Sequence, residues 1–171
     1  GLSTVLVGHR DPKATFAMLP ADHVIGDDAG FQAVLDTAFA AAEKEEALVT
    51  VGIKAAYPAT GYGYIHRGET LFSIGERPVF AVRAFKEKPD QPTAEAYVES
   101  GNYYWNAGMF FWRVPVIARE FEKHTPGLWK ALGAIRGGLE EGKSLDGLLA
   151  THYPGLEKIS VDYAIMEKAA V

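Results

Sequence analysis

Hydrophobic and polar positions change rhythm several times along this chain. Thr15-Phe-Ala-Met-Leu19 is a short apolar run closed by Pro20, a pattern that predicts a strand buried on both faces of a parallel sheet. Asp22 would then sit just beyond its carboxyl end. From Asp28, read as an N-cap, Phe31, Val34, Leu35, Ala38, Phe39 and Ala42 recur at helical spacing while Asp36, Glu43, Lys44 and Glu45 face away. Leu48-Val-Thr-Val-Gly-Ile53 is the next buried strand, so the segment reads as a right-handed strand–helix–strand unit with parallel strands. Glycines at 61, 63, 68 and 75 then punctuate aromatic and β-branched residues, which predicts shorter antiparallel strands, with a longer one over 78–85. Thr93 to Glu99 has one face of Ala94, Tyr97 and Val98 and predicts a short helix. Tyr103 to Trp112 is a nearly continuous apolar strand. Helical spacing returns over 114–124 and, with glycine breaks, over 128–149, and a last helix is expected to begin near Val161.

That alternation implies one α/β domain, and composition supports it: 171 residues that are 48% hydrophobic and 12% aromatic can form one sizeable core. The net charge of −5 is spread along the chain with no Lys/Arg run, which argues against a nucleic-acid partner. Cysteine is absent, which removes disulfides and thiolate metal sites and fits a reducing compartment. The most apolar window, Tyr103 to Ala118, is broken by Asn106, Gly108, Arg113 and Pro115 and falls short of the ~20 residues a bilayer span needs. No signal segment opens the chain. It begins at Gly1, and Leu2 to Val7 reads as the end of an apolar helix already under way, so a piece of a longer protein is expected.

The chemistry-bearing residues fall at element ends. Asp22 follows a strand, where ligands of open α/β sheets bind, although an Asp after Pro20 also suits a turn cap. Asp162, in Ser160-Val-Asp-Tyr-Ala-Ile-Met-Glu-Lys168, is placed equally well as an N-cap. As a pair they make a candidate Mg²⁺ site, since that ion takes one or two protein carboxylates with phosphate and water completing its shell. Thr60-Gly-Tyr-Gly-Tyr64 has glycines that let backbone approach a ligand, or simply a loop or bulge. Glu87-Lys88-Pro89 ends a strand with both charges. Adjacent side chains of a strand face opposite ways, so a local break must occur if both reach one pocket. Asn106 interrupts an apolar strand and must find partners, because an unsatisfied buried polar group costs about 1–3 kcal/mol. Tyr103, Tyr104, Trp105, Phe110, Phe111 and Trp112 read as core, and His9, His66, His124 and His152 as surface. There is no cysteine nucleophile, Gly-x-Ser-x-Gly elbow or His-Glu-x-x-His helix.

Taken in order, Leu19-Pro-Ala-Asp-His23, Thr60-Gly-Tyr-Gly-Tyr-Ile65, Glu87-Lys-Pro89, Asn106-Ala-Gly-Met-Phe-Phe-Trp112 and Ser160 to Lys168 resemble the sugar nucleotidyltransferases. Within them the match is to the mannose-1-phosphate guanylyltransferase (GDP-mannose pyrophosphorylase) branch. The resemblance implies a Rossmann-like α/β fold of the nucleotide-diphospho-sugar transferase type, with a mixed, mainly parallel sheet flanked by helices and incomplete at its N-terminus. It implies that residues 1–171 are the middle and C-terminal portion of one catalytic domain. The glycine-rich signature loop belongs before Gly1, so this segment is not expected to complete the transfer alone. The implied reaction is Mg²⁺-dependent guanylyl transfer from GTP to mannose 1-phosphate, with the sugar phosphate attacking the α-phosphorus directly. The resemblance makes Asp22, Lys88 and Asp162 the catalytic residues, Asp22 and Asp162 the metal ligands, and Tyr62, Gly63, Glu87, Lys88 and Asn106 the substrate contacts. A cytoplasmic enzyme is implied, with small-molecule substrates, no nucleic-acid or membrane partner, and room for a homodimer. A regulatory paralogue that keeps the sugar pocket, or another hexose-1-phosphate nucleotidyltransferase, would share these residues. A metal-dependent glycosyltransferase should instead carry an Asp-x-Asp, which this chain lacks.

Overall fold

A computed structural model of the chain describes residues 1–169; the last two residues of the expected domain, 170 and 171, lie outside the described residues. The elements follow in the order α1 (Leu2–Arg10), β1 (Thr15–Met18), α2 (Asp28–Glu45), β2 (Val49–Lys54), β3 (Tyr64–Ile74), β4 (Arg77–Lys86), α3 (Gln91–Ser100), β5 (Tyr103–Arg113), α4 (Val114–His124), α5 (Pro126–Glu140) and α6 (Leu145–His152). A π turn (Asp162–Met166) and the short α7 (Glu167–Ala169) are the last elements among the described residues. This is the expected α/β class, an open sheet flanked by helices. Helix α4 spans the residues its pattern marks. Helix α2 is capped one residue earlier than expected, by Asp27, whose carboxylate accepts the Gly30 N–H at 2.9 Å.

Strand β5 is the centre of the sheet. β1 pairs with it through 110–113 and β3 through 103–105, while β2 pairs along 104–111. Since a strand has two edges, β2 occupies one and β1 and β3 share the other. Strands β1 and β2 do run the same way, as the strand–helix–strand reading requires, but β5 lies between them. Every ladder among the described residues is therefore antiparallel, and the expectation of mainly parallel pairing is corrected. The physical reason is that a strand distant in sequence has inserted into the gap, which local periodicity cannot register. The short strands expected in the middle are instead one long hairpin, β3–β4, closed at Gly75, whose φ of 57° suits glycine.

The pleat of β5 sorts the core into two layers. Ala107, Met109 and Phe111 face α2, packing on Ala38, Ala42, Phe31, Leu35 and Phe39. Phe110 and Trp112 face the other side, where Ile117 and Phe121 of α4 and Ala164, Ile165 and Met166 of the π turn cover them. A third cluster joins α1, α5 and α6 through Val5, Leu132, Ile135 and Leu148. Among the histidines read as surface, His124 is corrected: its side chain is mostly covered and its Nε2 lies 3.2 Å from Glu120, one helical turn back.

Candidate active site

Polar residues gather where β5 departs from regularity. Between the pairs Thr50↔Phe110 and Gly52↔Asn106, β2 advances two residues while β5 advances four, so β5 bulges at 107–109, and Gly108 takes φ 67°. Asn106 stabilises the bulge from inside. Its Oδ1 accepts the Gly108 N–H at 3.1 Å and the Thr50 hydroxyl at 3.0 Å, and its Nδ2 donates to Asp162 Oδ1 at 3.0 Å. One amide hydrogen is left for a ligand. Its backbone N–H donates to Gly63 C=O at 2.7 Å, fixing the Thr60–Tyr64 segment against β5.

Glu87 comes from the end of β4. It is one of two buried polar or charged residues in the core among the described residues, at 9% exposure. Its Oε1 lies 3.4 Å from Lys88 Nζ, while Oε2 is buried without a hydrogen-bond partner. Burial pushes its carboxyl above the ordinary carboxylate range; the Asp162 charge adds to this and Lys88 opposes it. Glycine at 63 leaves room for the carboxylate, because a Cβ there would crowd Glu87 Oε2 and displace it. Lys88 resolves the alternation problem by backbone means: its φ of 46° breaks the strand, its N–H donates to Tyr62 C=O at 3.3 Å, and its half-exposed ammonium turns back onto Glu87.

Asp162 heads the π turn, half-buried, with Asn106 engaging one of its oxygens. Asp22 is placed differently. It rides on the irregular stretch between β1 and α2, exposed from 21 to 27. Pro20, two residues earlier, has its Cγ 3.9 Å from where a Cβ of Gly108 would stand, so this stretch passes the same bulge. The structure thus brings Tyr62, Gly63, Glu87, Lys88, Asn106 and Asp162 together and sets Asp22 on a segment beside them. Among the described residues no group of three or more acidic or histidine side chains forms a ready metal cage. The donors present, hard carboxylates with an oxygen of Asp162 unengaged by Asn106, fit Mg²⁺.

Three participants escape sequence reasoning. Thr50 holds Asn106 across the sheet. Glu167 accepts the Glu87 N–H at 2.7 Å, although it stands inside the Ser160–Lys168 phrase. Trp105, read as core, is only partly covered and meets the exposed rings of Tyr57 and Tyr62 edge-on, at 4.7 and 5.3 Å between centroids. The five-residue step from Asp162 to Glu167 signals a shared face only if the helix is widened.

Residues 3–139 match the family model described as nucleotidyl transferase. A mannose-1-phosphate guanylyltransferase of Sinorhizobium fredii is 42% identical over 92% of this chain and 30% of its own length. That of Escherichia coli is 39% identical over 90% of this chain and 32% of its own. A crystal structure described as mannose-1-phosphate geranyltransferase from Thermus thermophilus superposes with a TM-score of 0.78 at 34% identity, covering 98% of this chain and 46% of that one. The chain thus spans about a third of the length of these curated relatives.

Proposed function

The chain belongs to the nucleotidyl transferase family, and from that premise we propose that the enzyme containing it transfers a guanylyl group from GTP to mannose 1-phosphate, giving GDP-mannose and pyrophosphate. The observation that carries this reading is the Glu87–Lys88 pair, a buried carboxylate with one free oxygen beside an ammonium 3.4 Å away. A carboxylate is a strong acceptor for sugar hydroxyls, and an ammonium is a compact partner for the phosphate on the same sugar. The carbonyls of Tyr62 and Gly63 each accept one backbone N–H and keep a second lone pair for hydroxyls.

In the proposed step a phosphate oxygen of mannose 1-phosphate forms a bond to the α-phosphorus of GTP, the bond to the bridging oxygen breaks, and pyrophosphate leaves. A phosphate monoester has its second pKa at about 6, so the nucleophile is already dianionic near neutrality and no general base is needed. Mg²⁺, when held by Asp22 and Asp162, supplies charge neutralisation and orientation for the phosphates. Asn106 fixes Asp162 for that task, and Lys88 draws charge from the attacking phosphate. Residues 1–171 are then the middle and later portion of one catalytic domain. The lack of cysteine suits the reducing cytoplasm, and no described helix is long and apolar enough to cross a membrane.

Kinetics of the full-length enzyme test this reading. Lys88→Ala should weaken mannose 1-phosphate use by about tenfold or more, the worth of one charge-assisted contact, with GTP use little changed. Equal losses for both substrates would remove Lys88 from the role. Glu87→Gln should blur discrimination between mannose and glucose 1-phosphates. A wild-type protein that binds both ligands without turnover would be a regulatory paralogue instead.

A further inference from the structure

The π turn is a register device. In an α-helix, positions five apart stand about 140° apart around the axis, from 3.6 residues per turn. Here the Glu167 N–H reaches back five residues to the Asp162 carbonyl, which widens the turn and brings position 167 round toward the side that position 162 faces. One element thereby serves two partners: Asp162 meets Asn106, and Glu167 meets the end of β4.

The N–H at that end lacks any strand partner. The β3–β4 ladder stops at Tyr64↔Lys86. Of the carbonyls just beyond, Gly63 accepts from Asn106 and Tyr62 from Lys88. The Glu87 N–H, on a buried residue, therefore depends on Glu167 Oε1 at 2.7 Å. That carboxylate is itself largely covered, at 24% exposure, and lies 3.6 Å from Lys86 Nζ. Without this bond the buried donor would be orphaned, and the peptide between Lys86 and Glu87 would be free to rotate.

We propose that Glu167 is a positioning residue for the Glu87–Lys88 pair, accepting the Glu87 N–H so that the carboxylate stays over Gly63 and the chain turns left-handed at Lys88. The proposal rests on the reading of that pair as the sugar 1-phosphate contact. Glu167 touches no substrate; it fixes the peptide from which both charges are presented.

The test binds mannose 1-phosphate and GTP separately, by calorimetry, to the full-length wild type, Glu167→Ala and Glu167→Gln, with thermal melts alongside. Amide hydrogen exchange at Glu87 is followed in each without ligand. Glu167→Ala should weaken mannose 1-phosphate by about tenfold or more and leave GTP unchanged, as expected for a residue that holds a ligand-binding group in place. Glu167→Gln keeps an acceptor oxygen and should recover most of the loss. Exchange at the Glu87 amide should quicken in the alanine variant and stay slow in the glutamine one. Unchanged binding and exchange in Glu167→Ala would overturn the proposal. So would equal weakening of both ligands that merely tracks a lower melting temperature. If the wild type binds no mannose 1-phosphate, the proposed function fails, while exchange at Glu87 still decides whether the clamp exists.

Discussion

The two aspartates that suggest a metal site are held in opposite ways. Asp162 is built in: it heads a π turn packed on the core, and Asn106, itself tied to Thr50 and the Gly108 N–H, engages one of its oxygens. Asp22 rides on an exposed irregular stretch that passes the bulge of β5 at Pro20. One side of the site is tied down by the fold's own hydrogen bonds, and the other lies on solvent-exposed chain beside it. Fixed groups cost little reorganisation when charge develops, whereas a movable carboxylate can follow the ion and phosphates into place.

The largest expected effect sharpens that contrast in function while keeping it out of stability. Asp162→Asn and Asp22→Asn should each reduce turnover of the full-length enzyme on the order of 100-fold or more, by removing charge without volume. Neither should shift the urea midpoint appreciably, because asparagine at 162 still offers Asn106 an acceptor. A loss of turnover from Asp162→Asn with none from Asp22→Asn would break the pairing of the two as metal ligands.

Stability should separate the two sides. Asn106→Ala removes three side-chain hydrogen bonds at once and should cost about 2–3 kcal/mol in urea unfolding, since it strands the Thr50 hydroxyl and the Gly108 N–H inside the sheet. Alanine at 22 should be neutral by the same measure, as expected for an exposed irregular stretch. Equal costs would mean that the Asp22 stretch is as built-in as the bulge. Gly63→Ala comes next, at about 1–3 kcal/mol, the usual price of overpacking, because its methyl would press on the buried Glu87 carboxylate. It should also weaken mannose 1-phosphate binding in the full-length enzyme.

How much of this is legible in the sequence follows the same division. Periodicity reveals α2, α4 and the two-faced β5, because amphipathic spacing is a local record of which side is covered. The phrases around Glu87, Asn106 and Asp162 mark residues that the structure brings together. What they do not reveal is how the chain delivers them. The insertion of β5 between β1 and β2 depends on partners far apart in sequence. The bulge at Gly108 shows in sequence as one glycine, and the left-handed turn at Lys88 falls on a residue with no preference for it. Glu167 was invisible as a participant because helical reasoning at 3.6 residues per turn puts it on the wrong side of Asp162.

The smallest expected effect probes the preorganised side through pH. Burial raises the Glu87 carboxyl above its ordinary range, with Asp162 adding to the shift. The folded chain therefore keeps this proton at pH values where the unfolded chain has lost it. Folding takes up a proton in that window, so the stability associated with protonated Glu87 is whole below the ordinary carboxylate range and is lost as pH rises through the raised value. Glu87→Gln cannot titrate. Urea midpoints of wild type and Glu87→Gln, measured from acid to neutral pH, should therefore converge at the acid end and diverge as pH rises. The glutamine variant should be the more stable at neutrality by about 1 kcal/mol, the lower end of the cost of a buried polar group left without a partner. Curves that stay parallel from acid to neutral pH would mean that the fold does not hold the Glu87 carboxyl in the buried setting described.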